Sequence, residues 1–411
     1  MVFATAAARD GNPSTDNGLW RTPGGGGPVG MALTRPFDGG RWAAPRVVAA
    51  DVLPEFSTPP ASSRRETAPA VTLPVVVVGQ VEPLGSRFVR FTVSKPARVA
   101  VDALARRIGS PLDPTLIVRD ETRGRDVPNA ARDDSPGQAG DVRFALTLEP
   151  GTYLVELRDA TYRGGPEFKF RLRLGSFPLL DPPVPLAVRR GATTPVSVGG
   201  QTVPVVAPAD DPAASTAIAP PGSAAWPVPL LISDDEQRAE QEPNDDPKTA
   251  NELPFPGGVT GRFDRRRDID CFAVMLKGGA RVRIAATTAE LLSPADVLLT
   301  LRDPAGKEIA ASDPRQVATR IDVTPPADGR YVITVEHLTR FHGPEQVYHV
   351  GIGPHPGFTL TLPALEAVVP AGGSTKIKVR VDRAGFDGPI ALRALGPAGV
   401  SGGRELPANA A

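Results

Sequence analysis

The chain has 411 residues, with 42 glycines and 47 prolines but only 5% aromatic side chains; at roughly 100–200 residues per domain this excludes a single small module, and the turn-forming excess argues against long helices. Its 46 basic and 46 acidic side chains cancel, so no long-range field draws it to nucleic acid or an anionic membrane. One cysteine, Cys271, excludes an intrachain disulfide, a thiolate zinc site and an iron–sulfur centre.

Residues 1–66 are rich in Gly, Pro, Ser and Arg and carry no sustained hydrophobic period. They read as mostly disordered, with a short strand around Arg46 to Leu53. The run Gly24-Gly25-Gly26-Gly27-Pro28 lacks the Gly-Lys-Ser/Thr of a phosphate-binding loop. Met1 to Asp10 lacks the basic start and apolar segment of a secretory signal; the protein is then not exported, or the chain is a fragment or has a misplaced start. Apolar runs such as Val75 to Val78 are far shorter than the roughly 20 residues of a membrane-spanning helix, and no transmembrane segment is expected.

From residue 67 the chain repeats itself. Ala97-Arg98-Val99 recurs as Ala280-Arg281-Val282, Ser110-Pro111 as Ser293-Pro294, Asp113 as Asp296 and Arg119-Asp120 as Arg302-Asp303, all at an offset of 183. Gly151, Tyr153 and Gly165-Pro166-Glu167 then match Gly329, Tyr331 and Gly343-Pro344-Glu345 at 178, and Phe177, Val188 and Gly191 match Phe358, Val369 and Gly372 at 181. Within each copy the alternation has the period of a half-buried strand, as in Phe168 to Leu174, Tyr331 to Glu336 and Ile377 to Val381. Turn signals such as Glu149-Pro150-Gly151 and Ala327-Asp328-Gly329 precede Tyr-bearing strands. The reading is an all-β chain of tandem sandwiches. Residues 67–200 form a first copy with its tail and 201–235 an Ala/Pro-rich semi-extended linker; 236–356 form a second copy and 357–411 an incomplete β segment.

The second copy holds Glu240-Gln241-Glu242-Pro243-Asn244-Asp245-Asp246, then Leu253-Pro254, Gly261, Asp268-Ile269-Asp270-Cys271-Phe272 and Asp328-Gly329-Arg330-Tyr331. This pattern resembles the bacterial pre-peptidase C-terminal domain, a jelly-roll-like β-sandwich appended to secreted peptidases and cell-surface proteins. By the repeat, a degenerate copy covers roughly 67–175. The tail, with Gly385-Phe386-Asp387-Gly388-Pro389-Ile390, resembles the start of an immunoglobulin-like segment. It has too few strands for a complete immunoglobulin-like sandwich, and the natural protein is expected to continue beyond Ala411. The resemblance implies a secreted or cell-envelope protein.

Calcium takes six to eight hard oxygen ligands. Glu240, Glu242, Asn244 and Asp245 supply four such oxygens in six residues, and Asp268 and Asp270 supply two more from one side of a strand start. In calcium-binding members of the resembled family an acidic segment and a later aspartate pair hold the ion, which implies Ca2+ here. The competing reading is a solvated acidic linker with a turn at Asn244 and Asp245, and Arg265, Arg266 and Arg267 oppose a cation unless they point away. The first copy has Pro60, Ser62, Arg64 and Arg65 at the positions of the acidic segment, and Arg87 and Val89 at those of Asp268 and Asp270; it holds no calcium this way.

The four histidines, His337, His342, His349 and His355, cluster late in the second copy. Imidazole suits metal binding or proton transfer, but Asp159, Gly164 and Lys169 replace the first three in the first copy, so structural roles are expected. Cys271 reads as an inert, partly buried thiol. No nucleophile elbow or zinc helix is present. The functional expectation is a non-catalytic binding or spacer array for an extracellular polymer or protein. The alternative is the accessory part of a larger secreted peptidase or other hydrolase.

Overall fold

The computed structural model describes residues 51–209, 214–316 and 318–355 without a break, together with strand segments between 19 and 48 and parts of 357–408. The chain divides into two compact units, one formed by 51–353 with 21–28, the other by 1–20, 29–50 and 354–411.

Two sandwiches dominate the larger unit, and their strand orders match. The first has a sheet ordered Arg125–Arg132, Pro114–Asp120, Gly151–Asp159, Ser86–Val93, facing one ordered Arg143–Leu148, Ala97–Leu104, Lys169–Gly175, Val75–Gln80, Glu55–Ser57. In the second, Glu308–Ala311, Val297–Arg302, Gly329–His337 and Ile269–Leu276 repeat the first order, with Asn251–Leu253 added at the edge. Its other sheet runs Arg320–Val323, Val282–Thr287, Val347–Pro354, Gly257–Arg262, Glu236–Ala239. Strand alternation becomes burial: Phe170, Leu172 and Leu174 lie in the first core while Lys169 faces water. Each copy closes the same turn with a buried tyrosine. Tyr153 Oη donates to Glu149 O at 2.7 Å, and Tyr331 Oη to Ala327 O at 2.8 Å.

Two boundaries differ from the sequence reading. Residues 51–66 belong to the first sandwich: Glu55–Ser57 lies parallel to Val75–Gln80 and Pro60–Ser63 forms a 3-10 turn. In the N-terminal part, Arg46–Val48 is a strand paired with Met31–Leu33, and Leu19–Arg21, Pro28–Leu33, Pro36–Phe37 and Arg41–Trp42 are strands as well, against the disorder expectation; the remaining residues before 51 lie outside the described residues.

Residues 201–235 are not a linker. Thr193–Val198 and Gln201–Val206 form a hairpin whose two-residue loop, Gly199-Gly200, has φ of +57° and +76°, the left-handed pair of a tight hairpin turn. A further sheet joins Ala187–Arg189, Val228–Ser233 and Ser215–Ile218, and Val188, Val196, Val205, Leu230 and Ile232 pack into a separate small core. Proline is tolerated here because a two-stranded ribbon consists of edges, as at the facing Pro195 and Pro204. In the C-terminal part, Thr359–Thr361 pairs with Arg380–Asp382 and Ile390–Arg393 with Gly403–Leu406. The alternating segment from Ile377 enters a strand only at Arg380.

Candidate metal centre

The acidic segment follows the edge strand Glu236–Ala239, and three elements of the second sandwich converge on it. Glu240 N donates to Thr260 O at 2.9 Å, Arg262 N donates to Glu240 Oε2 at 2.7 Å, and Cys271 N donates to Asn244 O at 2.9 Å. These bonds tie the segment between the strands Gly257–Arg262 and Ile269–Leu276. Behind it stands Tyr348, fully buried, whose hydroxyl donates to Asp270 Oδ2 at 2.5 Å. Gly261 makes room for that ring, since a Cβ there would meet it at 2.3 Å.

Glu240, Glu242 and Asp270 bring one carboxylate oxygen each to within 4.8 Å of one another. Asn244 lies among them, fully buried, its Nδ2 donating to Glu240 Oε1 at 2.9 Å. Two oxygens in this group, Asn244 Oδ1 and Asp270 Oδ1, are buried without any hydrogen-bond partner. Burial, reinforced by the charge of Glu240, pushes the Asp270 carboxyl up to about 10, and burial likewise raises Glu240 and Glu242. The two buried oxygens left without a donor are short of positive charge. A hard oxygen-seeking cation fits this donor set; a thiolate- or imidazole-seeking metal does not.

The other two expected ligands are engaged elsewhere. Asp268 accepts from Asp264 N at 2.6 Å and from Arg265 Nε at 3.1 Å. The same guanidinium bonds Asp245, holding its carboxyl below the usual range. Arg265 thus staples the loop beside the cluster, and its charge still acts on Glu242. In the first copy the strand registers correct the sequence alignment: Arg87 lies opposite Leu157 as Asp270 lies opposite Val335, and Phe170 stands for Tyr348, so a guanidinium and an apolar ring replace the carboxylate and its hydroxyl donor.

The histidines are not gathered into one site. His337 Nδ1 accepts from Thr339 N at 3.2 Å, leaving Nε2–H to donate to Gln346 Oε1 at 3.0 Å. Asp159 does the same turn-capping in the first copy, accepting from Thr161 N at 3.0 Å. His342 is exposed and His355 Nδ1 accepts from Gly357 N at 3.2 Å. His349 is buried against Gln237 Oε1 at 2.8 Å, and burial lowers its imidazole to about 4. An unfolded imidazole titrates near pH 6.5, so the stability from keeping His349 neutral is complete above that pH and is lost as pH falls towards 4. The stability difference between wild type and His349→Gln is expected to shrink by about 2–3 kcal/mol from pH 8 to pH 4.5 in urea melts; a pH-independent difference would refute it. Cys271 is buried, and burial raises its thiol to about 11, far from a reactive thiolate.

The fold and site define a class: tandem β-sandwiches, the second holding a buried, cation-deficient oxygen cluster at the edge of its sheets. The family model of the bacterial pre-peptidase C-terminal domain matches residues 268–337, which lie within the second sandwich. No curated protein matches the chain. Among solved structures, it is similar to the pre-peptidase C-terminal domain of a Bacillus anthracis collagenase, at 14% identity over 29% of this chain and 96% of that one, TM-score 0.21. It is also similar to PliG, a periplasmic inhibitor of g-type lysozyme from Aeromonas hydrophila, at 13% identity over 29% and 98%, TM-score 0.20. The tandem CBM22 modules of Paenibacillus barcinonensis Xyn10C align over 67% of this chain and 84% of that one, at 13% identity and TM-score 0.17. No helix among the described residues is long and apolar enough to cross a membrane.

Proposed function

We propose that the chain is a non-catalytic binding array of a secreted or cell-envelope protein, in which calcium rigidifies the second sandwich and the sandwich surfaces recognise an extracellular polymer or protein. In this reading the first sandwich is a degenerate copy of the same domain. The observation that carries the calcium assignment is the pair of partnerless buried oxygens, Asn244 Oδ1 and Asp270 Oδ1. Glu240, Glu242, Asn244 and Asp270 would hold the ion, which supplies the charge those oxygens lack. Asp245 and Asp268 act through Arg265, fixing the neighbouring loop. The family match also supports a second reading, in which the array is the accessory part of a larger secreted peptidase or other hydrolase.

Calorimetric titration with calcium chloride is expected to give saturable binding at one site. Absence of saturable heat, together with a melt that chelator leaves unchanged, would reject the calcium assignment. The purified chain is expected to stay at background in peptidase, esterase and glycosidase screens. Turnover lost on changing His337 or His342 would overturn the non-catalytic reading.

A further inference from the structure

Large apolar side chains left in water mark contact surfaces when they recur together. Of the ten such side chains among the described residues, four sit on one turn system in the two sandwiches: Leu84 and Tyr162 in the first, Leu338 and Phe341 in the second, exposed by 84%, 49%, 46% and 64%. The turns correspond by the repeat. In the first, Leu84 N donates to Tyr162 O at 3.0 Å and Gly165 N to Val81 O at 2.8 Å; in the second, Gly343 N donates to Phe263 O at 3.0 Å.

The backbone is as unusual as the exposure. Tyr162 and Arg340, at equivalent positions, have φ of +59° and +61°, and Leu84 and Arg267, on the facing turns, have +58° and +64°. Long side chains seldom occupy this region, where glycine or asparagine is easiest. Bulky residues held there with about half or more of their surface in water, as Leu84 and Tyr162 are, point to a use outside the fold.

The first tip sets its ring against a guanidinium that has no ion pair, while in the second Phe341 meets the edge of the His337 ring, 5.9 Å between centres, and follows Arg340 in the chain. Arg158 lies over the Tyr162 ring, 4.5 Å from its centre, and its hydrogen bonds go to backbone carbonyls. On the second tip Asp264 and Asp268 are taken by Arg262 and Arg265, so Arg266, Arg267 and Arg340, exposed and without an ion pair among the described residues, outnumber Glu345, the acid of the same turn that is also outside an ion pair.

We propose that these two tips are the polymer-binding surface, and that the polymer is a polyanionic polysaccharide. A ring beside guanidinium takes the C–H face of a sugar and its carboxylate or sulfate at once. One ring and one leucine per tip is too little apolar area to hold a bilayer. Two copies of the tip on one chain suit a repeating ligand, whose second contact gains from the first. The proposal rests on the binding-array reading and names its ligand class and site.

The test measures binding of the full chain to heparin, hyaluronate, dextran and phosphatidylcholine–phosphatidylglycerol vesicles, with chelator present so that calcium bridges contribute nothing. Heparin or hyaluronate is expected to bind. Combining Tyr162→Ala with Arg340→Ala and Phe341→Ala is expected to weaken that binding at least about tenfold, with the melt unchanged. Arg98→Ala with Arg281→Ala, which removes two exposed charges at repeat positions away from the tips, is expected to change it less than about twofold. Equal losses in both variants would reduce the effect to charge and overturn the tip site. Polysaccharide binding, dextran included, that survives the tip variant would overturn the site and leave the array reading standing. Binding to vesicles alone, or to no probe, would overturn the polysaccharide assignment.

Discussion

Asp141→Ala is expected to destabilise the chain by about 3–5 kcal/mol, the usual cost of stranding one partner of a buried ion pair. Asp141 is fully buried and accepts from Ala105 N at 3.1 Å, Arg106 N at 2.8 Å, Arg107 N at 3.1 Å and Arg107 Nε at 2.8 Å. The Arg107 guanidinium also bonds Asp102 Oδ1 at 2.5 Å and Ala103 O at 3.0 Å. Removing Asp141 leaves a buried cation half-neutralised and three backbone N–H groups unbonded. The second copy has Ala285 and Glu290 where the first has Asp102 and Arg107, so the network belongs to the first sandwich alone. Urea melts at pH 7 would measure the loss; a fall of less than about 1 kcal/mol would mean that water reaches Arg107 and replaces the carboxylate.

Asp270→Asn is expected to raise the stability of the calcium-free chain while abolishing its response to calcium. With its folded-state carboxyl pushed up to about 10 and an unfolded value near 3.9, the acid form is favoured by folding. Its contribution is complete below the unfolded value and is lost as pH rises towards 10. At pH 7 the calcium-free fold is therefore strained by this one group, and a neutral amide of the same shape relieves the strain. Calcium removes it by another route, contributing about 1.4 kcal/mol at millimolar ion if the dissociation constant is near 10⁻⁴ M. Melts of wild type and Asp270→Asn, with chelator and with calcium, would check both halves. A variant less stable than wild type in chelator, or one that still gains from calcium, would refute the assignment.

The repeat is where sequence and structure agree most closely. The offsets that relate Ala97-Arg98-Val99 to Ala280-Arg281-Val282 and Tyr153 to Tyr331 relate strands at the same place in the same sheet order. Alternation in extended chain grouped Glu240, Glu242 and Asn244 on one side and Asp268 with Asp270 on another, with Asp245 beside them, while the meeting of Glu240, Glu242 and Asp270 within 4.8 Å is a product of the tertiary fold. Asp268 has the same chemistry but a different fate, because Arg265, three residues earlier, captures it. The middle module was hidden by its prolines, although Gly199-Gly200 between two valine-bearing segments is a readable hairpin signal.

Composition, period and repeat are local properties, and they sufficed for the all-β class, for internal similarity between two stretches that fold with one strand order, and for the acidic segment in the second. Tertiary structure alone placed Tyr348 behind Asp270, left Asn244 Oδ1 and Asp270 Oδ1 without partners, joined Arg107 to Asp141, and put the bulky left-handed residues at equivalent tips. Each of those results depends on residues far apart in the chain meeting in a buried or strained position. Desolvation and pairing are set by neighbours in space, which no window along the sequence contains.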